Sequence, residues 1–232
     1  MAVLQHRYGL DWVDEDELYR IVEHVFASSI EKARSSKLSA PPDPFTIATQ
    51  AVLFDQPAES MMAFEKLRGV NKTISNAVGN FHQCVLGLAE GWSNLGSSGG
   101  VVDLIVRDTP TSKPIHVEVK NRYNTIKASD EKEVWDKLDM LARTNNSVSY
   151  LVQIVPKEPV RYDKPWSVSG RPERDHVRCC DGATAYAWAF KKDTALEELY
   201  AVFPDILSDV LGRSYDKAGL ADYFFFSMPK SQ

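Results

Sequence analysis

The chain has 232 residues, 44% hydrophobic and 25% charged, a balance that excludes a disordered or collagen-like chain and leaves ample length for a core. Its formal net charge of −5 resides in residues 1–31, where Asp11, Asp14, Glu15, Asp16, Glu17, Glu23 and Glu31 face only Arg7 and Arg20. The rest balances to zero, so global charge neither supports nor excludes a nucleic-acid partner. In chain order, Leu18, Ile21, Val22, Val25, Phe26 and Ile30 recur at helical spacing and predict an amphipathic helix over Asp14–Lys37, broken by Ser39–Phe45. Further helices are predicted over Thr46–Phe54 and Glu59–Arg68, then a longer one over Lys72–Leu95 that carries Ile74, Val78, Phe81, Val85, Leu88 and Trp92 on one side and ends at Ser97–Gly100. The pattern then changes to a β-branched run, Val101–Val106, turn chemistry in Asp108–Pro114, and alternation in Ile115–Lys120, which together read as a β-hairpin.

A helix over Ser129–Arg143 follows, then a buried-type strand over Ser149–Val155 that stops at Pro156. Pro156–Arg174 reads as loop, His176–Cys180 as a short strand, and Thr184–Ala189 and Ala195–Leu211 as helices. The expected architecture is α/β: a helical N-terminal region over residues 1–70 and a core over 71–232, packed as one domain. No apolar run approaches the ~20 residues of a spanning helix, and Met1–Tyr8 lacks a secretory layout. Three cysteines, Cys84, Cys179 and Cys180, make neither a disulfide framework nor a zinc site, so a reduced, cytoplasmic protein without a membrane partner is expected.

The candidate chemistry lies in the hairpin. His116, Glu118 and Lys120 point to one side of their strand and Ile115, Val117 and Val119 to the other. Asp103, on the partner strand, is expected to come near Glu118. Two convergent carboxylates suit a hard cation such as Mg²⁺, whose bound water loses its proton readily. Lys120 can orient that water and screen a phosphate. The alternative is a solvent-facing strand with a cross-strand ion pair. Acid-any-lysine is a short pattern with many chance matches; Asp130-Glu-Lys132 also fits it, yet lies in a helical stretch with no preceding strand aspartate.

Asp103, fourteen intervening residues and Glu118-Val119-Lys120 resemble the PD-(D/E)XK nuclease motif, with Val102 standing where the pattern has proline. The stretch Glu118–Ser129, Val134–Leu138 and Arg178-Cys-Cys-Asp-Gly182 leading into a helix are similar to type II restriction endonucleases that recognise GGNCC-type sites. The likeness covers roughly residues 80–210. It implies a mixed central sheet flanked by helices, with Asp103, Glu118 and the carbonyl of Val119 on Mg²⁺ (Mn²⁺ as substitute) and Lys120 as the catalytic lysine. It also implies hydrolysis of double-stranded DNA to 5′-phosphate ends in a bacterial or archaeal cytoplasm, beside a methyltransferase that protects the host's sites. Palindromic sites imply a two-fold homodimer. Another nuclease of the same fold, or a DNA-binding protein without catalysis, stays open as an alternative.

Glu90, thirteen residues before Asp103 and near the end of the long predicted helix, is a candidate extra metal ligand, or a solvated helix residue. Asn121, Arg122, Asn124 and Lys127 follow the catalytic strand and suit phosphate contacts, which position DNA without reading it. Arg171, Arg174, His176 and Arg178 form the most basic run and are candidate base or phosphate contacts. His82, Gln83, His116 and the tryptophans read as structural.

Overall fold

Asp14 opens the first helix, α1 (Glu15–Arg34), its carboxylate accepting the N–H groups of Asp16 and Glu17 at 3.0 Å. Such capping and the acidic first turn satisfy free N–H groups and suit the helix dipole. This is a computed structural model, and it describes residues 8–35, 40–96, 101–107, 109–110 and 112–229. The expected helix end at Lys37, the break at 97–100 and the turn residue Asp108 lie outside the described residues. Asp43 caps α2 (Pro44–Phe54), with Pro44 in the first turn where its missing N–H costs nothing.

The two helices expected over Glu59–Arg68 and Lys72–Leu95 are one, α3 (Ala58–Leu86). Gly69 costs a helix interior about 1 kcal/mol, and burial of Met61, Ala77, Phe81, Val85 and Leu86 along α3 outweighs it. The helix also stops earlier than its periodicity suggests. A Cβ on Gly87 would lie 2.8 Å from the Cβ of Asn94, so the glycine lets the chain fold back closely. Trp92 therefore lies in a strand, β1 (Trp92–Asn94), and its ring packs 4.8 Å from that of Trp188.

The hairpin forms as expected from β2 (Leu104–Val106) and β3 (Ile115–Arg122), with Leu104 opposite Val117. Then follow α4 (Glu131–Thr144), β4 (Val148–Val155), β5 (Asp163–Pro165), β6 (Val177–Asp181), α5 (Gly182–Phe190), α6 (Ala195–Leu211) and α7 (Leu220–Ser227). β5 interrupts the stretch expected as loop, and α7 was not expected. The sheet order is β1-β2-β3-β4-β6-β5; β3, β4 and β6 run parallel, and the outer strands pair antiparallel. One face of the sheet, through Val117, Val119, Val152 and Ile154, shares a core with α1, α3, α5 and α6. The other, through Leu151, Val177 and Cys179, packs on Trp135 and Leu138 of α4. Helices thus cover both faces, as parallel strands require. No described helix is long and apolar enough to cross a membrane.

Candidate active site

Asp103 sits at the bend just before β2 and is held from four directions. Its N–H donates to the Val117 carbonyl at 3.1 Å, and its own carbonyl accepts from the Leu95 N–H at 3.0 Å. The Gln83 amide on α3 donates to the same carbonyl at 3.3 Å. Its carboxylate Oδ2 accepts the Val119 N–H at 2.7 Å, reaching across the hairpin to the strand that carries Glu118. Since a strand residue's N–H and C=O leave by the same edge, the Val119 carbonyl also faces the Asp103 side.

Glu118 is 7% exposed. Its Oε1 accepts from Lys120 Nζ at 2.6 Å and its Oε2 from Lys137 Nζ of α4 at 2.8 Å. Burial pushes the Glu118 carboxyl up, but the hydrogen bonds and charges of the two lysines outweigh it and hold the group below its ordinary range. Asp103 behaves oppositely: burial first, then the neighbouring Glu118 charge, push it up, and the Val119 N–H offsets this only in part. A buried carboxylate beside a second one is the arrangement a cation relieves. Among the described residues no three His, Cys, Asp or Glu groups cluster for a metal. The donor set of two carboxylates and a backbone carbonyl, with water making up the rest, fits Mg²⁺, which binds through one or two carboxylates.

A family model described as the Eco47II restriction endonuclease matches residues 10–212. The chain is 30% identical to the type II restriction enzyme Eco47II of Escherichia coli over 230 residues, 91% of this chain and 92% of that one. This chain belongs to the Eco47II restriction endonuclease family. It is also 25% identical to the type II restriction enzyme Sau96I of Staphylococcus aureus over 229 residues, 90% of this chain and 84% of that one. As a member of this family it is a site-specific endonuclease that acts on DNA.

Around the carboxylates of this restriction endonuclease, the other residues singled out from sequence divide. Asn124 and Lys127 are exposed in the loop after β3. Asn121 lies on the opposite face of β3 from Lys120; together with Arg122 it lines an apolar cavity of about 340 Å³ between α3, α6 and α7. Glu90 is not on a helix: it occupies the turn after α3, its side chain is 85% exposed, and it lies 3.4 Å from Lys191. Each member of the basic run faces a carboxylate of the chain. Arg171 makes a two-pronged pair with Asp136 of α4 at 2.6 and 2.5 Å, and Arg174 and His176 lie 3.4 and 2.8 Å from Asp139. Arg178 pairs with Asp163 at 2.8 Å. His116 is buried against Ser147, 2.9 Å away, as a structural histidine. Sequence reasoning missed Lys137, because only the packing of α4 on the sheet brings a helix residue nineteen positions away onto Glu118.

Proposed function

We propose that this chain is a type II restriction endonuclease of the PD-(D/E)XK kind, which hydrolyses double-stranded DNA in a Mg²⁺-dependent reaction at a GGNCC-type palindrome. The observation that carries the reading is Asp103 bound to the backbone of Val119 while Glu118, one residue away, is gripped by Lys120. Asp103, Glu118 and the Val119 carbonyl would hold the ion, and Mn²⁺ would substitute for it. When bound, the metal makes water easier to deprotonate and neutralises charge on a phosphoryl oxygen. Lys120 orients the attacking water and donates to the phosphate, where charge grows in the transition state. The water oxygen bonds to phosphorus as the bond to the 3′ oxygen breaks; the attacking water gives its proton to solvent and the 3′ oxygen takes one from a solvent water, leaving a 5′-phosphate and a 3′-hydroxyl.

Asn124 and Lys127 suit contacts to the DNA backbone from the loop beside the site. Arg174, whose side chain is 42% exposed, remains available to DNA among the basic run. A palindromic duplex is matched by a two-fold homodimer, and a methyltransferase protecting the same sequence is the functional partner in a cytoplasm that holds both.

Mn²⁺ binding followed by electron paramagnetic resonance tests the metal assignment without cleavage. Wild type binds Mn²⁺, and Asp103→Ala, with its circular dichroism unchanged, loses that binding. Equal binding by both proteins would remove Asp103 from the metal site.

A further inference from the structure

Helix α2 has the sequence Pro-Phe-Thr-Ile-Ala-Thr-Gln-Ala-Val-Leu-Phe, with no charged residue and none buried. Its inner side, through Ile47, Gln50 and Ala51, is half-buried, while Phe45, Val52 and Leu53 on the outer side are 82%, 81% and 74% exposed. An outer side this apolar and this exposed calls for cover. The first half of α3 adds a second apolar stripe. Phe64, Leu67, Asn71 and Ile74 follow three-four-three spacing along α3, and all four are exposed. Phe64 and Leu67 are 47% and 66% exposed, and Ile74 is 38%. This is a heptad seam open to solvent, with asparagine at an a position, where a polar amide selects register and partner number.

We infer that the α2–α3 hairpin is the surface through which two copies of this chain pair, with Asn71 meeting Asn71 near the two-fold axis. The need for two copies rests on the proposed cleavage of a palindrome; the choice of surface rests on the exposed seam. An asparagine amide carries both donor and acceptor, so it complements its own copy across a two-fold. Residues 43–74 hold four acidic and three basic side chains, so two identical surfaces meet with little repulsion. Phe64, Leu67 and Ile74 form the apolar centre of this patch, and the exposed side chains of α2 beside it extend it toward the ~800 Å² a standard interface buries on each partner. The pairing also bears on the chemistry. Gln83, which donates to the Asp103 carbonyl, lies on the same helix about 18 Å along its axis from Asn71. One continuous helix thus ties each catalytic centre to the interface and sets the spacing of the two.

Sedimentation equilibrium of the full chain tests this. Wild type runs at twice its 26.1 kDa. Leu67→Glu combined with Ile74→Glu runs as a monomer, at least a hundredfold weaker in self-association, with unchanged circular dichroism and melting. Phe226→Lys, at an 83% exposed position on α7, stays dimeric. Independently, Asn71→Cys is joined to its own copy by a short bismaleimide under conditions where wild type is not. A monomeric wild type, a dimer that survives the double substitution, or a dimeric Asn71→Cys protein that does not cross-link would each overturn the inference. Plasmid cleavage is read separately: a wild type that pairs through α3 yet cuts no DNA leaves the interface standing and removes the nuclease reading.

Discussion

Two adjacent carboxylates in the same site respond oppositely to loss of charge. Asp103→Asn keeps an oxygen for the Val119 N–H while removing a buried charge beside Glu118. In metal-free buffer at pH 7 it raises the melting temperature by roughly 2–4 °C, the shift that ~1 kcal/mol gives in a chain of this size. Asp103 has a raised pKa, so its penalty is present while it is ionised and disappears as pH falls through the folded value. The advantage of Asp103→Asn shrinks over the same range. Glu118→Gln deprives Lys120 and Lys137 of their shared partner and destabilises by about 1–3 kcal/mol. That is less than the ~3–5 kcal/mol of a fully buried pair, because the lysine side chains are 26% and 30% exposed. Glu118 has a depressed pKa, so its contribution is present above the ordinary glutamate value and fades as pH falls through the folded one. Melting curves of the three proteins between pH 4 and 8 read both signs; the same sign for both substitutions would refute this electrostatic account. Lys137→Met removes one of the two contacts that orient Glu118, and single-turnover cleavage slows roughly tenfold or more, ~1.4 kcal/mol in barrier. An unchanged rate would make Lys137 a bystander.

The elements that frame the site depend on close approaches that no residue pattern announces. Gly182 begins α5 where a Cβ would sit 2.5 Å from the Ile154 carbonyl oxygen of β4. Gly182→Ala therefore forces helix and strand apart and costs about 1–3 kcal/mol, or roughly 2–12 °C in melting temperature, with secondary structure retained; an unchanged melting curve would show that α5 shifts freely. The same kind of fact separates what was legible in the sequence from what was not. α1 was readable because Asp14 caps it and its apolar stripe is regular; β3 was readable because its residues alternate. The division of α3 was misread because Gly69 looks like a break, and burial against neighbouring helices overrides a weak local preference. Trp92 was misread because it continues the helical period by chance, whereas its strand exists through pairing with Val106. Asp103, Glu118 and Lys120 were legible from spacing within one hairpin. Lys137 and the carboxylates that pair with Arg171, His176 and Arg178 were not, since they arrive from other elements of the fold.

For the whole molecule, family membership gives site-specific DNA cleavage, and the structure gathers two carboxylates and two lysines at the end of a hairpin where helices cover both sheet faces. Glu118 is the common partner of both lysines, and Asp103 stands beside it, held by the Val119 N–H. The central claim is that this cluster performs the hydrolysis, and that Lys120 is needed for the chemical step rather than for folding. The most direct measurement incubates wild type and Lys120→Ala with unmethylated phage DNA and Mg²⁺, with matched circular dichroism, and sequences the ends produced. The account predicts discrete fragments with 5′-phosphate ends from wild type, at one palindrome. It predicts a rate at least ~10²-fold lower from Lys120→Ala, as expected when a group acting on the transferred proton or the developing charge is removed. Fragments formed at equal rates by both proteins would contradict it and move the active site elsewhere in the chain.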